Sequence, residues 1–128
     1  MSAKSKVLVV DDMSTHLLLL QSILQEEGYD AAVVDNPNAV MEMMQKESYD
    51  AVLLDIMMPG MDGFEVLKAL KKEELFSYTP VIVISAKTDS WSIKKALDLG
   101  AFDYLTKPIN IQDIRNKVKA ALDSKQVE

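Results

Sequence analysis

Ala51-Val52-Leu53-Leu54-Asp55 runs directly into Ile56-Met57-Met58-Pro59-Gly60-Met61-Asp62-Gly63. Consecutive apolar residues over strand length predict a strand buried on both faces, the kind found in a parallel sheet. The run stops at a carboxylate. Pro59-Gly60 and Asp62-Gly63 then call for tight turns. Asp55 is therefore expected at the C-terminal tip of a central strand, facing a loop, on the edge where open α/β sheets bind ligands.

The same pattern recurs on either side. Lys6-Val7-Leu8-Val9-Val10 is an apolar strand that ends in Asp11 and Asp12. Either Asp12 or Ser14 is placed to cap a helix over about Thr15–Glu27. Gly28 suits its C-terminal cap. Leu20, Ile23 and Leu24 share the buried face of that helix; Leu17 lies on its border, and Leu18 falls among polar residues. Ala31–Val34 reads as a short strand, and Asn36-Pro37 opens a helix running to about Lys46. After the Asp62-Gly63 turn, Phe64–Leu70 is helical. Val81–Ile84 is a further buried strand ending in Ser85-Ala86, followed by a helix from about Ser90 to Leu99 that stops at Gly100. Phe102–Leu105 is the last strand, leading to Thr106-Lys107-Pro108. A final helix buries Ile111, Ile114, Val118, Ala121 and Leu122. Strand and helix alternate throughout, which predicts an α/β fold with a parallel sheet covered on both faces.

In such a sheet the strand tips share one edge, so Asp11, Asp12, Asp55, Ser85 and Lys107 converge although they are far apart in the chain. Carboxylates gathered so closely repel one another. A hard divalent cation with oxygen ligands relieves that repulsion, and Mg²⁺ suits a site shared by a few carboxylates and a phosphoryl group. Lys107 can act as a point charge on a phosphoryl oxygen, Ser85 can donate a hydrogen bond to it, and Ala86 leaves room above Asp55.

Composition narrows the classes of function. The chain has 128 residues, a size suited to one domain, with 48% hydrophobic and 27% charged residues. It has no cysteine, hence no thiolate metal site, disulfide framework or cysteine nucleophile. A net charge of −6 argues against direct nucleic-acid binding. The apolar runs are too short for a membrane span or a signal peptide, so a cytoplasmic location is expected.

The pieces Val10-Asp11-Asp12, Leu54-Asp55 through Gly63, Ser85-Ala86, and Gly100-Ala101-Phe102-Asp103-Tyr104-Leu105-Thr106-Lys107-Pro108 occur in that order. Together they resemble CheY-like response-regulator receiver domains of two-component signalling. The resemblance covers essentially the whole chain, which makes residues 1–128 one receiver domain with a core of about 5–123 and a polar tail of 124–128. It implies a doubly wound, flavodoxin-like sheet of order 2-1-3-4-5 with five helices. It also implies that Asp55 accepts a phosphoryl group from a phosphohistidine of a histidine kinase or phosphotransfer protein. In that picture Asp12, Asp55 and the Met57 backbone carbonyl bind Mg²⁺, Asp11 supports it through water, and Lys107 and Ser85 contact the phosphoryl oxygens. Ser85 and Tyr104 form the switch pair, and the Lys107–Pro108 bond is cis. Met57 and Lys87 stand where the family tunes phosphoryl lifetime. The switch would act on a downstream effector or an attached output domain, with dimerisation through the Tyr104 face left open.

Other residues are set beside this reading. Leu17 and Leu18 on the first helix are candidates for kinase docking, and Trp91 for an output face, each against the plain alternative of ordinary packing or exposure. Asp62, just before Gly63, is expected to be a helix cap rather than a ligand. The single histidine, His16, is expected to be exposed in the first helical turn and is given no role. Three alternatives remain. The chain could be the excised receiver of a larger transcription factor, cyclase or hybrid kinase. It could be an Mg²⁺-dependent hydrolase, which would want an acid where Met57 stands. Or it could be a scaffold independent of phosphorylation.

Overall fold

The apolar runs pair side by side. In the computed structural model, which describes residues 4–58, 61–73 and 78–124, strands β1 (Lys6–Val10), β2 (Asp30–Val34), β3 (Ala51–Asp55), β4 (Val81–Ser85) and β5 (Asp103–Thr106) form one sheet. All its pairings are parallel and the order is β2-β1-β3-β4-β5, as expected. The helices between them are α1 (Ser14–Glu26), α2 (Val40–Lys46), α3 (Gly63–Lys72), α4 (Ser90–Asp98) and α5 (Ile111–Ser124). The Pro59-Gly60 turn and residues 125–128 of the tail lie outside the described residues. On either side of the former, Met57 pairs with Asp62 and Met58 with Met61 in a short antiparallel ladder.

Alternation along each strand divides the core between the two faces. Val7 and Val9 of β1, Leu53 of β3 and Ile82 and Ile84 of β4 pack with α1 and α5. Leu8, Val10, Val52, Leu54 and Val83 pack with α2, α3 and Ala96 of α4. Every residue of β3 and β4 is buried, which explains why both read as unbroken apolar runs. Gly28 (φ 88°) and Gly100 (φ 106°) take left-handed backbone after α1 and α4, where L side chains are strained.

Several local expectations need correction. The residue preceding α1 is Met13, whose side chain makes no capping bond, so neither Asp12 nor Ser14 caps the helix. Asp11 instead accepts the Met13 N–H through Oδ1 at 2.9 Å. Leu17 stands three and seven residues before Leu20 and Leu24, on the same helix face, and is in the core at 7% exposure, so it offers no docking surface. Ile111 is 48% exposed rather than part of the α5 stripe: it is the first residue of that helix, and the buried stripe begins one turn later at Ile114. The last strand starts at Asp103, and the Phe102 N–H bonds the Val81 carbonyl at 2.7 Å. The helix opened by Asn36-Pro37 begins as a 3₁₀ turn, Pro37–Ala39, before α2.

Candidate functional site

At three strand tips the same local device aims a polar side chain over the sheet edge. Asp11 Oδ1 accepts the N–H of Met13 at 2.9 Å, Asp55 Oδ1 that of Met57 at 2.8 Å, and Ser85 Oγ that of Lys87 at 3.0 Å. Each is a side chain bonding the backbone two residues on, the Asx- or ST-turn geometry that short polar residues favour where a strand ends. Parallel register does the rest. Val10 lies beside Leu54, Asp55 beside Ile84, and Ser85 beside Thr106, so the tips of β1, β3, β4 and β5 are neighbours.

Asp11, Asp12 and Asp55 each offer a carboxylate oxygen, all within 4.8 Å of one another. Asp11 and Asp55 are 1% and 4% exposed, whereas Asp12 is exposed. Oxygen donors on one open and two closed sides suit a hard divalent cation that keeps some of its water. Lys107 reaches in from the end of β5. Its ammonium lies 3.0 Å from Asp55 Oδ2 and 3.3 Å from Asp11 Oδ2, and its backbone N–H donates to the Ser85 carbonyl at 2.8 Å. The Lys107–Pro108 bond is cis. Burial pushes the Asp55 carboxyl above the ordinary carboxylate range, and the Asp11 charge adds to this against the Met57 N–H and Lys107. A carboxylate held this way is poorly solvated and gains by sharing its charge with a cation or an electrophile.

Ser85 is fully buried beside this cluster. The Tyr104 hydroxyl donates to the Lys87 carbonyl at 2.9 Å, linking the segment after β4 to β5. Burial raises the Tyr104 phenol pKa, with the Ser85 hydroxyl acting in the opposite direction. Asp62 caps α3 as expected, accepting the Phe64 N–H at 2.9 Å. At Gly63 a Cβ would run into the backbone of Ile56, so the chain after Asp55 can fold back only over a glycine. A cavity of about 540 Å³ opens beside the site, lined by Ile56, Met57, Asp62, Phe64, Lys87, Trp91 and Lys95. Trp91 is 64% exposed; its ring stands edge-on to Phe64 at 6.4 Å, and the Lys95 ammonium lies over both rings.

Of the residues singled out from the sequence, Asp11, Asp12, Asp55, Ser85 and Lys107 meet at this edge, with Tyr104 and the Met57 backbone bordering it. Leu18, 66% exposed on α1, and Trp91 lie outside the cluster. One residue was missed. His16 is only partly exposed, and its Nδ1 lies 2.9 Å from Lys107 Nζ and 3.3 Å from Asp11 Oδ2. The signal available was its place one turn after the β1 tip, on the helix that leaves the acidic edge.

A doubly wound sheet with clustered carboxylates and a lysine at the switch between β1 and β3 is the architecture of a signalling receiver module. Residues 7–119 match the family model of the response regulator receiver domain, and the chain belongs to that family. It is 34% identical to the alkaline phosphatase synthesis transcriptional regulatory protein PhoP of Bacillus subtilis, over 95% of this chain and 50% of that protein. It is also 34% identical to the DNA-binding response regulator MtrA of Mycobacterium tuberculosis, over 93% of this chain and 51% of that one. The chain thus spans about half the length of these relatives. Among solved structures it is similar to a CheY-like receiver domain protein from Methanospirillum hungatei, with a TM-score of 0.89 and 27% identity, covering 97% of this chain and 98% of that one. The chemotaxis protein CheY4 of Vibrio cholerae is similar at TM-score 0.88 and 28% identity, over 94% of this chain and 100% of that one. Among the described residues no helix is long and apolar enough to cross a membrane.

Proposed function

We propose that Asp55 accepts a phosphoryl group from the phosphohistidine of a sensor kinase or histidine phosphotransfer protein, and that the chain acts in the cytoplasm as a phosphorylation switch. The observation that carries this reading is the cluster of Asp11, Asp12 and Asp55 oxygens within 4.8 Å, with Lys107 Nζ 3.0 Å from Asp55. An Asp55 oxygen attacks phosphorus in line, the P–N bond breaks, and its electron pair returns to the donor imidazole. Phosphoryl transfer of this kind needs positioning and charge neutralisation more than covalent help. Asp12, Asp55 and the Met57 carbonyl would hold Mg²⁺, with Asp11 behind a water; when bound, the ion offsets the charge of the phosphoryl oxygens. Lys107 turns its donor from Asp55 toward a phosphoryl oxygen. Ser85 releases the Lys87 N–H and moves its hydroxyl the same way. Because the Lys87 carbonyl holds the Tyr104 hydroxyl, that movement frees Tyr104 to rotate inward, a local charge change biasing a two-state element.

The exposed Leu18 on α1, beside the acidic edge, is the proposed anchor for the phosphodonor protein, and Trp91 marks a surface for the effector. The output lies either on a separate partner or on the same chain. The second option is favoured by the relatives of about twice the length that are named as transcriptional or DNA-binding regulators. The complete open reading frame decides between these.

The test is the intact mass of the protein after incubation with acetyl phosphate and Mg²⁺, beside Asp55→Asn and a chelated sample. A single labile phosphoryl adduct that needs both Asp55 and Mg²⁺ is expected. No adduct from a protein that binds Mg²⁺ would replace the switch with a scaffold independent of phosphorylation.

A further inference from the structure

The Lys107 ammonium has three N–H donors and no acceptor. Each donor has an acceptor in reach: Asp55 Oδ2 at 3.0 Å, Asp11 Oδ2 at 3.3 Å and His16 Nδ1 at 2.9 Å. The shortest contact is the neutral one, and it comes from α1 rather than from another strand tip. An ammonium can only donate, so a ring nitrogen this close must present its lone pair. The proton of the neutral ring then sits on Nε2. An N–H on Nδ1 could serve Asp11 at 3.3 Å, but it would set two donors against each other across the shorter contact.

We infer that His16 is a positioning residue that holds Lys107 over Asp55 through the Nδ1 acceptor. The inference rests on the phosphoryl-acceptor reading above. The reason lies in what the other two acceptors must do. Asp55 gives up negative charge when it takes the phosphoryl group, and Asp11 serves the acidic cluster, so both contacts weaken as that chemistry proceeds. His16 belongs to neither event. Its bond persists while the other donors are exchanged, and it keeps a long side chain from swinging away at that moment. Lysine is otherwise costly to hold in one conformation. The Lys107 side chain is only 15% exposed, so few water positions could replace a lost acceptor.

His16 is the only histidine in the chain, so its ring is directly assignable by ¹⁵N NMR. On the alkaline plateau of the ring shifts, the wild-type protein should show the Nε2–H tautomer, and Lys107→Met should relax it to a mixture. His16→Leu should slow phosphorylation by acetyl phosphate at saturating Mg²⁺ about tenfold, the scale of one hydrogen bond to a charged group. His16→Asn, whose Oδ1 can accept where Nδ1 does, should recover all but roughly threefold of that loss. An Nδ1–H tautomer in the wild type, or a His16→Leu rate equal to wild type, would overturn the inference. A wild-type protein that forms no adduct would remove the phosphorylation reading alone, and the tautomer measurement would still decide what His16 does for Lys107.

Discussion

The bodies and the tips of β1, β3 and β4 are equally withdrawn from solvent yet obey opposite energetics. Val9 and Leu53 are fully buried and Ile84 is 2% exposed; one or two residues on, Asp11, Asp55 and Ser85 are 1%, 4% and 0% exposed. In the strand bodies burial is the source of stability, at about 25 cal/mol for each Å² of apolar surface. At the tips it works against the fold, because an ionised carboxylate loses its hydration. Asp11 and Asp55 meet that penalty by a shared plan. One carboxylate oxygen takes the N–H two residues on, and the other faces Lys107. Burial alone therefore does not separate core from site. The distinguishing mark is the group left short of full compensation, and here that group is Asp55.

Two substitutions in β3 should split along this line. Leu53→Ala leaves a cavity in a fully buried layer and should cost about 2–5 kcal/mol of stability in urea unfolding, with Asp55 still phosphorylated in the fraction that folds. Asp55→Asn should abolish the phosphoryl adduct and raise stability at neutral pH. The sign follows from the raised carboxyl. At pH values below the ordinary Asp range, about 4, both folded and unfolded states carry the proton and Asp55 has no effect. As pH rises through the window between that value and the raised folded one, the unfolded chain releases its proton first, and wild-type stability falls. Above the window the full penalty is present. The advantage of Asp55→Asn should therefore grow from acid to neutral pH. An advantage that is absent at pH 7 would mean that Lys107 and the Met57 N–H fully compensate the burial of Asp55, and a reversed one that they more than compensate it.

This contrast also explains what was legible in the sequence. The sheet was, because residues buried on both faces must be apolar without a break, as in Val7–Val10, Leu53–Leu54 and Val81–Ile84. Asp55, Asp11, Asp12, Ser85 and Lys107 were, because a parallel sheet brings strand ends to one edge whatever the intervening helices do. His16 was not. Its contact with Lys107 depends on the phase of α1 and the reach of a side chain 91 positions away, and neither leaves a periodic signal. The same phase decided Leu17. Leu17 keeps the i, i+3, i+7 spacing with Leu20 and Leu24 and enters the core with them, one turn further toward the helix start than the stripe read from the sequence. Ile111 fitted the apolar spacing of α5, but spacing alone does not say whether a buried stripe reaches the first residue of a helix, and here it begins at Ile114.

Leu17 and Leu18 extend the comparison to α1, where the effect on the fold should be smallest. Leu18 is 66% exposed and Leu17 7%, so one position separates a surface leucine from a core one. Leu18→Asp should change stability by no more than about 0.5 kcal/mol, as surface substitutions generally do. It should form the acetyl phosphate adduct at the wild-type rate, because a small donor needs only the strand tips. Transfer from the autophosphorylated cognate kinase, followed by the loss of label from the kinase, should slow by about tenfold or more, the scale of an apolar anchor at an interface. Equal slowing with both donors would place the effect at the site and end the docking role. Unchanged transfer from the kinase would leave Leu18 as an ordinary exposed leucine, and would move the search for the donor's footprint to Leu19 on the same helix and Met13 just before it, both of which are also exposed.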